Sequence, residues 1–347
     1  MTAVSRPSRV LAAVAAAAVL LGAAACSGSS AKVAKSSAPA PSHTSGTSSS
    51  ATAKPVTSVN PLTGGKPSSN GVVAVKIDDT GNGRPQRNID QADIVYIEEV
   101  EGGLTRLAAV FNSSLPVVEA VRSTRPADPE LLSQYGKIAF TASGGARVSL
   151  RILDRSYLKS TINDRNGPGF QRDSNRPAPY NLTANLATIA KVLKSPRARN
   201  VGFTWSYSQA QLAGAKPGTR IRTVVGGTPI EFRYDAKTHR YTRYIDGTAQ
   251  RTAAGKLITT PNVLVQFCKV EVYSQDRDVN GNPNQFTYTI GAGKIVLFRD
   301  GMQVPGTWKR AGLSSPTTLV NAKGQKMLFR PGGTWVVLTR NGAPLSS

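Results

Sequence analysis

The stretch Ile94-Val95-Tyr96-Ile97-Glu98-Glu99-Val100-Glu101-Gly102-Gly103-Leu104-Thr105-Arg106-Leu107-Ala108-Ala109-Val110-Phe111 decides how the fold is read. Two runs rich in aliphatic and aromatic residues flank a Gly-Gly pair, which is the pattern of two strands joined by a short turn. A third strand is expected at residues 72–77, followed by a turn-rich segment at 79–88. Asp128-Pro129-Glu130 opens a helix, with Asp128 as N-cap, a proline in the first turn and an acid at the positive end of the dipole. Residues 137–141 read as a strand, and 146–153 and 183–193 as helices. Strands mixed with helices make the N-terminal half, residues 59–200, an α+β or mixed α/β domain.

The pattern changes further on. Strand-like runs recur at 220–225, 230–234, 240–245, 263–273, 294–298, 307–309, 327–329 and 334–339, many of them separated by glycine or asparagine turns, with no convincing helix between them. A mostly antiparallel β domain is expected over 228–347, with 201–227 as the connecting region. The body carries no internal repeat of the kind that builds a propeller or a solenoid.

The N-terminus reads as an export signal over residues 1–25. Arg6 and Arg9 precede an uncharged apolar run at 10–21, and the small residues Gly22, Ala23, Ala24 and Ala25 lead to Cys26. That run is short against the ~20 residues of a spanning helix. The residues before Cys26 resemble the lipobox of bacterial lipoproteins, so lipid attachment at Cys26 is expected, with an ordinary cleavage site as the alternative. Serine and threonine fill 15 of the 32 positions from 27 to 58, without one acid or aromatic. Such a segment cannot offset its ordering entropy by burial, and residues 26–58 are read as a tether reaching about 30 Å.

Composition narrows the chemistry. The chain has 347 residues and a formal net charge of +23. Residues 59–200 hold 19 basic and 13 acidic side chains, and residues 201–347 hold 19 and 7. A basic protein outside the cell meets anionic headgroups and wall polymers. The expected partners are therefore the cell membrane, through the anchor, and an anionic wall polymer or another envelope protein, with no nucleic acid. Cys268 is the second of only two cysteines, and it lies in a strand-like run as a buried, inert thiol. His239 is the sole histidine of the body, which leaves no Cys/His zinc site and no thiol transpeptidase, and no cofactor is expected.

Two concentrations of charge remain. Asp78, Asp79, Asp90, Asp93, Glu98, Glu99 and Glu101 are seven of the chain's 20 acids, with Arg84, Arg87 and Arg106 interleaved. Carboxylates at strand ends can converge to bind polar groups or a cation, or to act as an acid and base pair. The bland alternative is a set of ion pairs and turn caps. The second concentration is basic: Arg122 and Arg125 in Arg122-Ser123-Thr124-Arg125-Pro126, then Arg172, Asp173 and Arg176 in Gln171-Arg172-Asp173-Ser174-Asn175-Arg176-Pro177. Arginine forks match carboxylate and phosphate, whether on a ligand or within the fold. Thr141-Ala142-Ser143-Gly144-Gly145-Ala146 is a tight turn or an anion-binding nest. Three motifs are rejected: a lone Asp79-Thr80-Gly81, a Ser156-x-x-Lys159 without its companions, and Asp276-Arg277-Asp278-Val279-Asn280-Gly281, which begins like a calcium loop but has Thr287 where the bidentate glutamate belongs.

Taken in order, Asn60-Pro61-Leu62-Thr63-Gly64, Arg84-Pro85-Gln86, Gln91-Ala92-Asp93-Ile94-Val95-Tyr96, Val100-Glu101-Gly102-Gly103, Thr105-Arg106, Val121-Arg122-Ser123 and Arg172-Asp173-Ser174 resemble the YerB-like lipoproteins, whose body is a two-part domain of unknown function. The resemblance covers most of residues 60–345 and is looser in the second half, where Gly306-Thr307-Trp308 and Pro331-Gly332-Gly333-Thr334-Trp335 carry it. Ala142 and Tyr180 stand where histidine is expected in many relatives. The resemblance implies an extracytoplasmic lipoprotein and no settled activity. The expectation is an envelope protein that binds a ligand or partner around Asp78, Glu99, Glu101, Arg106, Arg122, Arg125, Arg172 and Asp173. The rivals are a carboxylate-based hydrolase or transferase of an envelope glycan, with two of Asp78, Asp79, Glu99 and Glu101 as acid and base, and a structural interaction module.

Overall fold

The computed structural model describes residues 58–347. The expected signal peptide, the anchor Cys26 and the tether up to residue 57 lie outside the described residues. Among the described residues no helix is long and apolar enough to cross a membrane.

The first half supplies β1 (Val73–Asp78), β2 (Ile94–Glu99), β3 (Thr105–Phe111), β4 (Val117–Glu119), β5 (Ala139–Ala142), β6 (Lys159–Ile162), β7 (Phe170–Arg172) and β8 (Leu182–Asn185). Its helices are α1 (Asp128–Leu132), α2 (Arg147–Asp154) and α3 (Leu186–Val192). The second half supplies β9 (Arg220–Val225), β10 (Thr228–Asp235), β11 (Arg240–Ile245), β12 (Asn262–Cys268), β13 (Val270–Arg277), β14 (Pro283–Thr287), β15 (Gly291–Arg299), β16 (Met302–Arg310) and β17 (Thr334–Arg340). Shorter strands fill the edges.

One eleven-stranded sheet runs through both halves, in the order β16-β15-β12-β17-β2-β3-β1-β5-β6, with Lys216–Pro217 and Thr318–Asn321 added at the β16 edge. β2 and β3 pair antiparallel across the Gly102-Gly103 turn, as their sequence predicts. β17 inserts between β2 and β12 and runs parallel to both. The second half is thus antiparallel in its hairpins and parallel at the seam. A seam of this kind leaves no period in the sequence, because its partners are brought together from far apart.

Both faces of this sheet are covered, which is why β1, β2 and β3 are buried at every position. Ala74, Tyr96, Val110, Leu264 and Val336 face one core with Leu131, Tyr135 and Phe329. Val75, Ile97, Leu107, Val265 and Val337 face the other, under Ile221 and Phe232 of the β9-β10-β11 sheet and Leu186 and Ile189 of α3. Each such aliphatic side chain contributes roughly 1.5–3 kcal/mol on burial. Cys268 is buried as expected, and burial pushes its thiol up.

Several elements differ from their sequence reading. The helix expected over 183–193 is strand β8 followed by α3, because the Asn185 side chain caps the helix by accepting from the Thr188 N–H. The strand expected over 263–273 breaks at Lys269 into β12 and β13. Asp128 is the first residue of α1 rather than its cap. Its carboxylate accepts from the Arg125 N–H and the Thr124 hydroxyl and meets the Lys76 ammonium at 2.8 Å. Lys76 is fully buried and also bonds Glu98 at 3.0 Å, so an internal ion cluster sits in a strand that reads as apolar.

Candidate functional site

Strands β1, β2, β5 and β6 point the same way, and a cleft of about 490 Å³ opens beyond their carboxyl ends. Ligands in open α/β sheets favour this position. Its floor is built by a segment that follows β4. The Arg122 N–H donates to the Lys76 carbonyl, the Asp78 N–H to the Ala120 carbonyl, the Ser143 N–H to the Arg122 carbonyl, and the Thr124 N–H to the Gly144 carbonyl. Residues 120–124 are thereby stitched between the ends of β1 and β5, which sets Arg122 and Arg125 at the mouth.

Five residues singled out from the sequence meet there: Asp78, Glu101, Arg106, Arg122 and Arg125. Arg125 grips Glu101 through two nitrogens, one of them Nε at 2.6 Å, and Arg106 Nη2 reaches the same carboxylate at 3.1 Å. Burial by itself would raise the Glu101 carboxyl, but the hydrogen bond from Arg125 and the charges of Arg106 and Arg125 win and hold it down at about 2. Burial first, then repulsion from Arg125, lowers the Arg106 guanidinium to about 10. Asp78 accepts from the Thr80 N–H and hydroxyl on one oxygen and from Arg122 Nε, at 2.9 Å, on the other. A side chain at position 83 would run into Asp78, since a Cβ there would lie 2.3 Å from Oδ1, so Gly83 keeps that carboxylate in place.

Arg122 is used differently from its neighbours. Its Nε is held by Asp78, and its guanidinium lies 5.4 Å from the centre of the Tyr180 ring. Among the described residues neither Nη donates to a protein acceptor. The charged tip is therefore oriented and left with its end-on fork unspent.

The opposite wall was not legible in the sequence. The β13-β14 hairpin arches over the cleft, and Asn280, Asn282 and Asn284 line it from that side. Asp276 fixes the hairpin by accepting from the Val148 and Ser149 N–H groups at the start of α2, a contact across 128 and 127 positions. Asp276 also accepts from Asn284 Nδ2 at 3.0 Å, while the buried Asn284 Oδ1 has no partner. The calcium-like loop is a hairpin turn in which Asp278 accepts from the Asn280 and Asn282 N–H groups. Among the described residues no group of three or more His, Cys, Asp or Glu side chains is arranged to hold a metal ion.

The other candidates lie elsewhere. Asp79 pairs with Arg243 of β11, with both oxygens bonded at 2.8 and 2.7 Å, and Thr105 adds a third bond. Glu99 pairs with Arg340 at 2.8 and 2.7 Å. Arg172 donates to Asn181, Asp173 accepts from Arg87, and Arg176 sits 3.7 Å from Glu119 while bonding the Asn82 and Pro85 carbonyls. These three form a paired surface cluster beside the cleft and do not line it.

The chain resembles known proteins along its whole body. A family model described as "Protein of unknown function (DUF3048) N-terminal domain" matches residues 60–199, and the corresponding C-terminal domain model matches residues 220–336. Over 279 residues, 76% of this chain and 80% of the relative, it is 28% identical to "Putative lipoprotein YerB" of Bacillus subtilis (strain 168). The crystal structure of the YerB protein from Bacillus subtilis superposes with a TM-score of 0.68 at 24% identity, covering 83% of this chain and 99% of that one. At that identity the likeness speaks for the fold.

Proposed function

The chain belongs to the two-part DUF3048 family of proteins of unknown function, and on that footing we propose that it is an extracytoplasmic, lipid-anchored protein whose cleft binds a ligand through an anionic group. The name of the Bacillus relative, together with the Cys26 signal, supports the anchor. The anchor puts the body at the outer face of the cell membrane, within reach of anionic wall polymers and other envelope proteins.

One observation carries the binding reading. Arg122 lines the cleft, held at Nε by Asp78 beside the Tyr180 ring, and neither of its Nη groups has a protein acceptor among the described residues. A carboxylate or phosphate oxygen completes that fork. Arg106 and Arg125 share a single carboxylate, which leaves the local charge positive even with Glu101 ionised. The glycan hydrolase reading has less support. An acid catalyst needs a raised carboxyl, but Glu101 is held at about 2, and Asp79 and Glu99 are engaged away from the cleft.

Titration of the protein with inorganic phosphate and with D-glucuronate, read by calorimetry, tests the proposal. Both are expected to bind, more weakly as salt rises, and Arg122→Gln is expected to weaken them by roughly tenfold or more. Equal binding by parent and variant would remove the cleft from consideration.

A further inference from the structure

One face of the β13-β14 hairpin, the face that also carries Asn284, holds a row of aromatic rings that neither core uses. Tyr273 and Phe286 have ring centres 5.7 Å apart, and Phe286 and Tyr288 4.8 Å, with tilts of 41° and 47°. All three stay partly exposed, and none belongs to either hydrophobic cluster of the body. Strand register sets Glu271 opposite Phe286 and Tyr273 opposite Asn284, which lines the cleft. The row therefore leads from Tyr288 to the rim of the arginine site. Beside it the Tyr288 hydroxyl donates to Glu271 Oε2 at 3.0 Å, and Lys269 Nζ meets Glu271 Oε1 at 2.8 Å and the Tyr288 ring centre at 4.9 Å.

We propose that this ledge docks the sugar rings of a glycan strand whose anionic group occupies the Arg122 fork, an inference that rests on the anion-binding reading above. Cross-strand aromatics stabilise a two-stranded hairpin, and that accounts for the contacts between the rings. It does not account for the charged pair left at the ring edges. An apolar protein surface or an acyl chain laid on the ledge would strip water from Lys269 and Glu271, at a cost their mutual attraction does not repay. A pyranose avoids that conflict. Its C–H face packs on the rings, and its hydroxyl rim hydrogen-bonds the ammonium, the carboxylate and the tyrosine hydroxyl. Continuity with the cleft selects an anionic glycan over a neutral one.

The test compares two soluble probes on the full chain: N-acetylmuramic acid, one anionic sugar, and a hexasaccharide alternating N-acetylglucosamine with N-acetylmuramic acid. The hexasaccharide is expected to bind roughly tenfold or more tighter than the monomer, beyond the about threefold that repetition alone supplies. Phe286→Leu, which keeps apolar volume but removes the ring face, is expected to abolish that gain. Unchanged monomer affinity in the variant reports that the hairpin still walls the cleft. Equal affinity of the parent for both probes, or a length gain that survives Phe286→Leu, would overturn the ledge and leave the anion site intact. Failure of the monomer to bind the parent would instead bring down the anion reading, and the ledge with it.

Discussion

Two arginine–carboxylate regions flank the carboxyl end of β1, and they differ in what their hydrogen bonds leave over. On the core side Asp79 and Arg243 satisfy each other with two parallel bonds, at 0% and 2% side-chain exposure. On the cleft side Asp78 holds Arg122 by Nε alone, and that arginine remains 23% exposed. Adjacent residues of one type thus do opposite things. A closed, bidentate pair is a structural clamp, whereas a one-point clamp orients a guanidinium and leaves it available. The contrast teaches that counting charged residues does not find a site, while counting their unspent donors does.

The largest effect is expected from opening the closed pair. Asp79→Ala strands Arg243 among buried groups, 5.1 Å from the Trp335 ring, and should cost about 3–5 kcal/mol in urea unfolding. Arg122→Gln, at the open pair, should cost within about 1 kcal/mol. A cost for Asp79→Ala no larger than that of Arg122→Gln would erase the distinction.

A second prediction sharpens it through pH. Glu98 and Glu101 are three positions apart and are shifted in opposite directions. Burial raises Glu98 above the usual carboxyl value of 4.5, against the pull of Lys76. The unfolded chain then sheds that proton while the folded chain keeps it, so stability declines as pH rises from 4.5 toward the raised value. Glu101 is lowered from 4.5 to about 2, so its contribution is present above 4.5 and is lost as pH falls from 4.5 to 2. Unfolding measured from pH 2 to 9 should lose its alkaline decline in Glu98→Gln and its acid decline in Glu101→Gln. Parallel profiles for the two variants would show that the two acids share one environment.

A small effect is also expected at the Glu99–Arg340 pair. Arg340 is 43% exposed where it bonds Glu99, and truncating it opens that carboxylate to water. Arg340→Ala should cost about 1 kcal/mol, less at high salt. A cost matching that of Asp79→Ala would place this pair with the clamps.

Much of the strand content was legible. The β2-β3 hairpin and β1 declare themselves by aliphatic runs near glycines, and β9 through β11 by β-branched and aromatic residues recurring between short polar turns. Residues 183–193 misled because no glycine or proline separates Leu182–Asn185 from Leu186–Val192, and only the Asn185 cap marks the change of period. Within the cleft, Asp78, Glu101, Arg106, Arg122 and Arg125 stood out as charges in an ordered motif. Tyr180 stood out only as a departure from its relatives, and Asn284 carried no signal, since an asparagine at a strand end is commonplace.

The sequence by itself determined the strands, the two groups of charged residues and the family, because these depend on side-chain type and spacing within a few positions. It left Asp78 and Asp79 side by side at the end of a strand without fixing which way either points. Only the tertiary structure decided which of them met the cleft. Arg243 and Arg340, which close the pairs with Asp79 and Glu99, lie 164 and 241 positions away. Their arrival depends on the parallel insertion of β17 and on the small sheet folding over the second face. Ion pairs at such separations are set by packing of the intervening core, and local pattern carries no record of it.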